Sequence, residues 1–283
     1  MSERSVKDFL QFIRFSHTVF ALPFALGALF VAANGLPSWQ LFGLVLLCMV
    51  FARTAAMTFN RIADWEIDKR NPRTERRHKL MSKTGAITAC AISSGLFFAT
   101  TLFINPLCFA LSPVALAIVF FYSFTKRFTD FAQFFLGLAL AVAPVGAWLA
   151  VTGSFAVAPV ILAAAVLLWV AGFDMIYATQ DYEVDRREGL HSMVVRLGVQ
   201  PALACAVILH VLSFAALVGF GIAAHLGAIY YGGLVAILVA LVFEHRLAGR
   251  GSIDAINAAF FQTNAAVGAI FVLATLADRL LKL

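Results

Sequence analysis

WQLFGLVLLCMVFARTAAMTFNRIADWEIDKR, residues 39–70, decides the fold class. From position 39 to position 63 the only charges are Arg53 and Arg61. About 20 apolar residues suffice for a helix to cross the hydrocarbon core of a bilayer. At Asp64 the composition changes abruptly, and the stretch to Lys83 holds seven Lys or Arg and four Asp or Glu. A long apolar helix running into a dense charged segment is a membrane span meeting water.

The rest of the chain repeats this pattern. Of its 283 residues, 62% are hydrophobic and 13% charged, against roughly 45–50% and about 25% in soluble domains. Nine spans are expected, near residues 12–33, 39–63, 85–104, 107–124, 131–151, 157–180, 202–222, 227–243 and 256–276. The third and fourth are separated only by Asn105-Pro106, a tight turn, since proline disfavours helix at the residue before it. The expected fold is therefore all-α: a polytopic membrane protein of nine transmembrane helices forming one domain over residues 1–283.

Charge alternates between successive connections. NGLPSWQ, TGSFAVAP and the stretch around His225 carry no Asp, Glu, Lys or Arg, whereas those beginning at Asp64, Lys126, Asp181 and Glu244 are charged. All charged connections fall on one side, and their Lys and Arg excess makes that side cytoplasmic. The N-terminus is then expected inside, the C-terminus outside, and the location is the inner (cytoplasmic) membrane. The same rule accounts for the net charge of +6 without a nucleic-acid partner. MSERSVKDFL lacks the basic start and apolar core of a signal peptide. Cys48, Cys90, Cys108 and Cys205 all sit in apolar runs without a CxxC pair, which fits small buried hydrophobes better than disulfide or zinc chemistry.

Two acidic constellations stand at matching depth. Positions four apart lie on one helix face, so Asn60, Asp64 and Asp68 form one stripe and Asp181 and Asp185 another, with Tyr177 and Asp174 deeper. Carboxylates at this spacing repel each other, and a divalent cation removes that cost. Mg²⁺ takes oxygen ligands, typically one or two carboxylates plus substrate phosphates. Solvated loop charge could account for either stripe alone, but it explains the matched pair poorly. Asp174 and Arg53 lie inside apolar runs, where an ionisable group normally faces a polar cavity. Arg14, Arg61, Arg73, Lys126 and Arg127 are the cations available to phosphate oxygens.

NRIADWEIDKRNPRT resembles the first Asp-rich motif of the UbiA superfamily of intramembrane prenyltransferases, and DMIYATQDYEVDRREGLHS is similar to the second. Lys126-Arg127 in FYSFTKRFTDF resembles the basic pair between the fourth and fifth helices, and APVGAW (143–148) the fifth helix. The likeness covers about residues 10–275, and the 4-hydroxybenzoate polyprenyltransferases are the group it resembles most. It implies nine helices around a central cavity. It implies Mg²⁺ as cofactor, held by Asn60, Asp64, Asp68, Asp181 and Asp185, on a polyprenyl diphosphate. It further implies prenyl transfer to a small aromatic acid in quinone biosynthesis. On this reading those five residues and Tyr177 are catalytic, while Lys126, Arg127, Arg61 and Arg73 bind diphosphate. Arg14, Arg53 and Asp174 bind the acceptor. Arg61 after Asn60, His17 to Phe20 in the first span, and the Arg77-His78-Lys79-Leu80 stretch depart from the ubiquinone-pathway pattern. In those regions the chain resembles a relative that prenylates a dihydroxynaphthoate for menaquinone.

Two other classes compete. A secondary transporter also buries charge and shows internal repeats, but here the acids cluster at one interface. A CDP-alcohol phosphotransferase needs Gly and Asp at set distances after Ala-Arg, where Ala52-Arg53 is followed by Ile62, Glu66 and Arg70.

Overall fold

The computed structural model describes residues 3–14, 20–70, 74 and 79–281. Among these there is no strand, as the run of apolar spans implies. The helices are α1 (Glu3–Phe12), α2 (Leu22–Ala32), α3 (Trp39–Ala63), α4 (Trp65–Arg70), α5 (Lys83–Leu102), α6 (Pro106–Thr125) and α7 (Ala132–Thr152). They are followed by α8 (Val157–Ala178), α9 (Tyr182–Arg187), α10 (Met193–Leu197), α11 (Val199–Ala223), α12 (Ala228–Ala248), α13 (Ile253–Ala258) and α14 (Asn264–Leu281).

Local chemistry sets the ends. Ser38, Ser82 and Asn105 each cap a helix, their side-chain oxygens accepting from the backbone N–H three residues on at 3.2, 3.1 and 2.8 Å. Such caps satisfy donors that have no partner within the helix. Pro106 follows Asn105 as the first residue of α6, where its missing N–H costs nothing. Gly153 closes α7 in the left-handed conformation, φ 63°, which lacks a steric penalty only for glycine.

Eight helical segments are long and apolar enough to span a membrane: α3, α5, α6, α7, α8 with α9, α11, α12 and α13 with α14. The first expected span, 12–33, is resolved differently. α1 ends at Phe12, Arg14 takes a left-handed φ of 47°, and α2, with Pro23 in its first turn, has 11 residues. At 1.5 Å per residue α2 is about 16 Å long, roughly half a bilayer core. Residues 15–19 between them lie outside the described residues.

Short α2 is nevertheless central. It is apolar all round, and Phe24, Ala25, Ala28 and Leu29 are buried against α7, α8 and α14. An all-apolar helix belongs inside a bundle. α12, by contrast, exposes Val235, Leu238, Val239, Val242 and Phe243 along one side, a face apolar enough to meet lipid. The main core joins Phe24, Trp169, Phe173, Phe220, Tyr230 and Phe271.

Close helix approach depends on small residues. At Gly137 of α7, an added Cβ would stand 2.4 Å from the backbone carbonyl oxygen of Leu167 on α8. Backbone cannot step aside as a flexible side chain can. Gly137→Val is therefore expected to destabilise the fold by about 2–3 kcal/mol through overpacking, seen as a lower melting temperature in detergent. An unchanged melting temperature would contradict this helix contact.

Bonds between connections fix which ends of the bundle lie together. Arg70 pairs with Glu188 at 3.0 Å, Lys126 with Asp64 at 2.7 Å, and Asp130 with His191 at 3.0 Å. Gln180 donates to Asn257 at 3.1 Å. The connections after α3, α6, α8 and α12 thus gather at one end, as the charge alternation implies. Glu244 differs from its sequence reading as a loop charge: it is fully buried in α12 and accepts from Asn264 at 2.9 Å.

Candidate active site

α3, α6, α7 and α8 line a cavity of about 730 Å³, and its charged lining, here called the mouth, lies at the end where the charged connections gather. Asn60, Asp64, Asp68, Asp174, Tyr177, Asp181 and Asp185 all line it. The helical spacing read from the sequence survives two helix breaks. Asp64 ends α3, but its N–H still bonds the Asn60 carbonyl at 2.9 Å, and the Asp68 N–H bonds the Asp64 carbonyl at 2.8 Å. Asp181 closes a 3-10 turn, Thr179–Asp181, that joins α8 to α9.

Asp64 is the best-defined acid. Its side chain is 5% exposed and pairs with Lys126 Nζ at 2.7 Å and Arg127 at 3.6 Å. A carboxylate so far from water requires such cations. Its Oδ1 is buried and accepts no hydrogen bond. Asn60 donates to Ser123 Oγ at 3.3 Å and approaches Asp64 at 3.5 Å. Arg61 donates to Asn60 Oδ1 at 3.2 Å and pairs with Asp68 at 3.7 Å. Thr74 fastens the following segment by donating to the Asp68 carbonyl at 3.1 Å.

Among the described residues, no three His, Cys, Asp or Glu side chains converge on one point as a ready-made metal site. The donor set still fits Mg²⁺. That ion commonly uses one or two protein carboxylates and completes its shell with phosphate and water. The underused Oδ1 of Asp64 and the acids across the cavity supply such oxygens without forming a closed protein cage.

Deeper in the cavity, Arg14 donates to the Tyr177 hydroxyl at 3.2 Å, and Arg53 donates to the Arg14 carbonyl at 2.9 Å. All three line the cavity. The carbonyl that Arg53 holds belongs to the residue with left-handed backbone, so Arg53 clamps the break after α1. Arg127 is placed otherwise than Lys126. It does not line the cavity, donates to the Ala63 carbonyl, and lies 5.4 Å over the Phe124 ring. Arg73 lies outside the described residues.

Several lining residues have no sequence signature. Phe260 stacks on Tyr177 at 4.1 Å and meets Phe20 and Phe173 edge-on at 5.1 and 5.5 Å. It sits in a π-helical turn, Ala259–Thr263, a feature frequent at functional sites. Asn264 braces that turn by donating to the Phe260 carbonyl at 2.9 Å. The polar Gln262-Thr263-Asn264 triplet in an apolar span is the one hint the sequence offers. Ser123 and Tyr122 line the cavity beside Lys126, but nothing in their spacing sets them apart from ordinary span residues.

Toward the far end the lining becomes apolar, with Val45, Met49, Val142 and Val145. A charged mouth continuous with an apolar chamber suits an amphiphile with an anionic head and a hydrocarbon tail.

Residues 21–266 match the UbiA prenyltransferase family. The chain is 31% identical, over 93% of its own length and 95% of the relative's, to a 4-hydroxybenzoate octaprenyltransferase of Vibrio parahaemolyticus serotype O3:K6 (strain RIMD 2210633). It is 34% identical, over 78% and 77%, to the protein of that name from Alcanivorax borkumensis (strain ATCC 700651 / DSM 11573 / NCIMB 13689 / SK2). The apo structure of a UbiA homologue from Aeropyrum pernix K1 superposes with a TM-score of 0.84 at 30% identity, covering 93% of this chain and 98% of that one. A UbiA homologue from Archaeoglobus fulgidus, bound to GPP and Mg²⁺, shares the fold at a TM-score of 0.72 and 21% identity, covering 96% and 99%. The chain therefore belongs to the UbiA prenyltransferase family.

Proposed function

We propose that this protein transfers a polyprenyl group from an allylic polyprenyl diphosphate to 4-hydroxybenzoate, with Mg²⁺, in quinone biosynthesis. The carrying observation is the meeting of both acidic stripes and Lys126 around one cavity that is charged at its mouth and apolar beyond. The names and full-length coverage of the Vibrio relatives support the choice of acceptor. The homologue bound to GPP and Mg²⁺ supports the choice of donor and metal.

In this reading the diphosphate lies at the mouth. Asn60, Asp64 and Asp68 on one side, and Asp181 and Asp185 on the other, hold Mg²⁺. Bound there, the metal supplies charge neutralisation that makes diphosphate a better leaving group. Lys126 and Arg61 add positive charge where the oxygen of the breaking C–O bond becomes negative. The allylic carbon becomes cationic, and the aromatic carbon beside the phenol hydroxyl attacks it. The ring proton passes to the departed diphosphate, and its loss restores aromaticity. The apolar walls exclude water, which would otherwise capture the cation. Arg14 and Arg53 hold the acceptor carboxylate, and Tyr177 and Asp174 orient its hydroxyl. The single domain over residues 1–283 sits in the inner membrane with the mouth and the N-terminus cytoplasmic, following the Lys and Arg bias.

The test is to incubate membranes holding the protein with labelled prenyl diphosphate and Mg²⁺, offering 4-hydroxybenzoate or 1,4-dihydroxy-6-naphthoate. Labelled lipid product is expected with 4-hydroxybenzoate and is expected to vanish with EDTA. Product with the naphthoate alone would move the enzyme to menaquinone synthesis. Solute uptake into proteoliposomes without covalent product would replace the whole reading with transport.

A further inference from the structure

Beside the acidic stripes and the cations already described, a histidine stands at the cavity mouth with its ring already bonded. His191 lines the cavity. Its Nδ1 stands 3.0 Å from Asp130 Oδ1, and its backbone N–H bonds the Lys126 carbonyl at 2.7 Å. The residue is thereby tied, through its backbone, to the same turn whose side chain grips Asp64. Asp130 is fixed in turn by Arg196 at 3.1 Å. The hydrogen bond from His191 and the charge of Arg196 hold the Asp130 carboxyl below its usual range.

A carboxylate only accepts hydrogen bonds, so the imidazole Nδ1 carries the proton it gives to Asp130. That commits one edge of the ring and leaves the Nε2 edge as what His191 can offer the cavity. A third residue aligning a ring nitrogen for work at the other is a recurring arrangement for histidines that act on substrates. Neither stripe nor the Lys126 side chain requires such a residue, and a plain loop staple would not need to line the cavity.

We propose that His191 is a diphosphate-binding residue, positioned by Asp130, that donates from Nε2 to a terminal diphosphate oxygen. The proposal rests on the functional reading above and deepens it. In this arrangement both ring nitrogens serve as donors, Nδ1 toward Asp130 and Nε2 toward the anion. His191 then complements Lys126 from a second connection, so the diphosphate is held where the α6–α7 turn and the segment after α9 are bonded to each other.

Direct binding of inorganic pyrophosphate in the presence of Mg²⁺, measured by calorimetry on the purified full chain, tests this without dependence on the acceptor. A hydrogen bond to a charged group is worth about 1.5–3 kcal/mol, so His191→Ala is expected to weaken pyrophosphate at least about tenfold. The same variant should raise KM for prenyl diphosphate and leave KM for the acceptor unchanged. Asp130→Ala breaks the contact to His191 and also the ion pair to Arg196, but keeps the imidazole, so its loss should be smaller, about threefold. Unchanged pyrophosphate affinity in His191→Ala, or a loss in Asp130→Ala as large or larger, would overturn the proposal and leave His191 a structural staple. Absence of pyrophosphate binding in the native protein would overturn the functional reading itself, and this inference with it.

Discussion

Asp64→Asn is expected to lower turnover by at least about 100-fold while the protein remains folded. The substitution changes one oxygen for an amide nitrogen and removes one negative charge, with no change in size. The remaining oxygen can still accept from Lys126, so the 2.7 Å contact need not be lost. What disappears is the carboxylate whose buried Oδ1 lacks a hydrogen bond and which the proposed mechanism gives to Mg²⁺. Removing one preorganised electrostatic group from a reacting centre costs on the order of 100- to 1000-fold, and a metal-holding charge belongs at the upper end. Asp181→Asn, on the facing stripe, should behave alike. Turnover at saturating Mg²⁺ and the melting temperature in detergent are the two readouts. Activity within tenfold of native in either variant, with the fold intact, would remove that carboxylate from the metal site.

Lys126→Met carries the second large effect, and it should act on two quantities at once. Activity should fall at least about 100-fold, because the cation nearest Asp64 also serves the leaving diphosphate. Stability should fall too. Asp64 is 5% exposed, and stripping a buried carboxylate of its partner costs about 3–5 kcal/mol when both groups are deep. Lys126 is 31% exposed and Arg127 remains at 3.6 Å, so a loss of about 1–2 kcal/mol is the better expectation. The double variant Lys126→Met, Asp64→Asn separates the two effects through a mutant cycle. It should regain most of the melting temperature, since no uncompensated charge is left, while turnover stays abolished. A single Lys126→Met variant with native activity would take the residue out of the diphosphate site.

Both variants probe residues that stand out in the sequence alone. Asn60, Asp64, Asp68, Asp181 and Asp185 are legible there because polar and charged side chains at regular spacing contrast with an apolar background. Arg53 and Asp174 are legible because an ionisable group inside a span is costly unless it faces a cavity. Lys126 and Arg127, adjacent in the chain, look alike until their surroundings are known. One lines the cavity and the other lies over Phe124, because the turn after α6 sends consecutive side chains in different directions. Phe260 is hidden among 28 phenylalanines. Its role follows from a π-helical turn that alters the helical register by one residue, and that turn depends on Asn264 and buried Glu244 meeting across two helices.

The sequence by itself determined the membrane class, the positions of the long apolar spans after residue 38, the clustering of charge at one end and the two acidic motifs. Each follows from solvation: apolar residues and charges partition along the chain whatever the packing. Only the tertiary structure decided that the first apolar segment contains a short, largely buried α2, since 11 residues are long enough to pack but not to span. Only it decided that Arg53 holds the Arg14 backbone, that Asp130 aligns His191, and that α7 and α8 close upon Gly137. The first of these contacts joins residues 39 positions apart and the second residues 61 apart, and no local periodicity encodes a distance that packing alone creates.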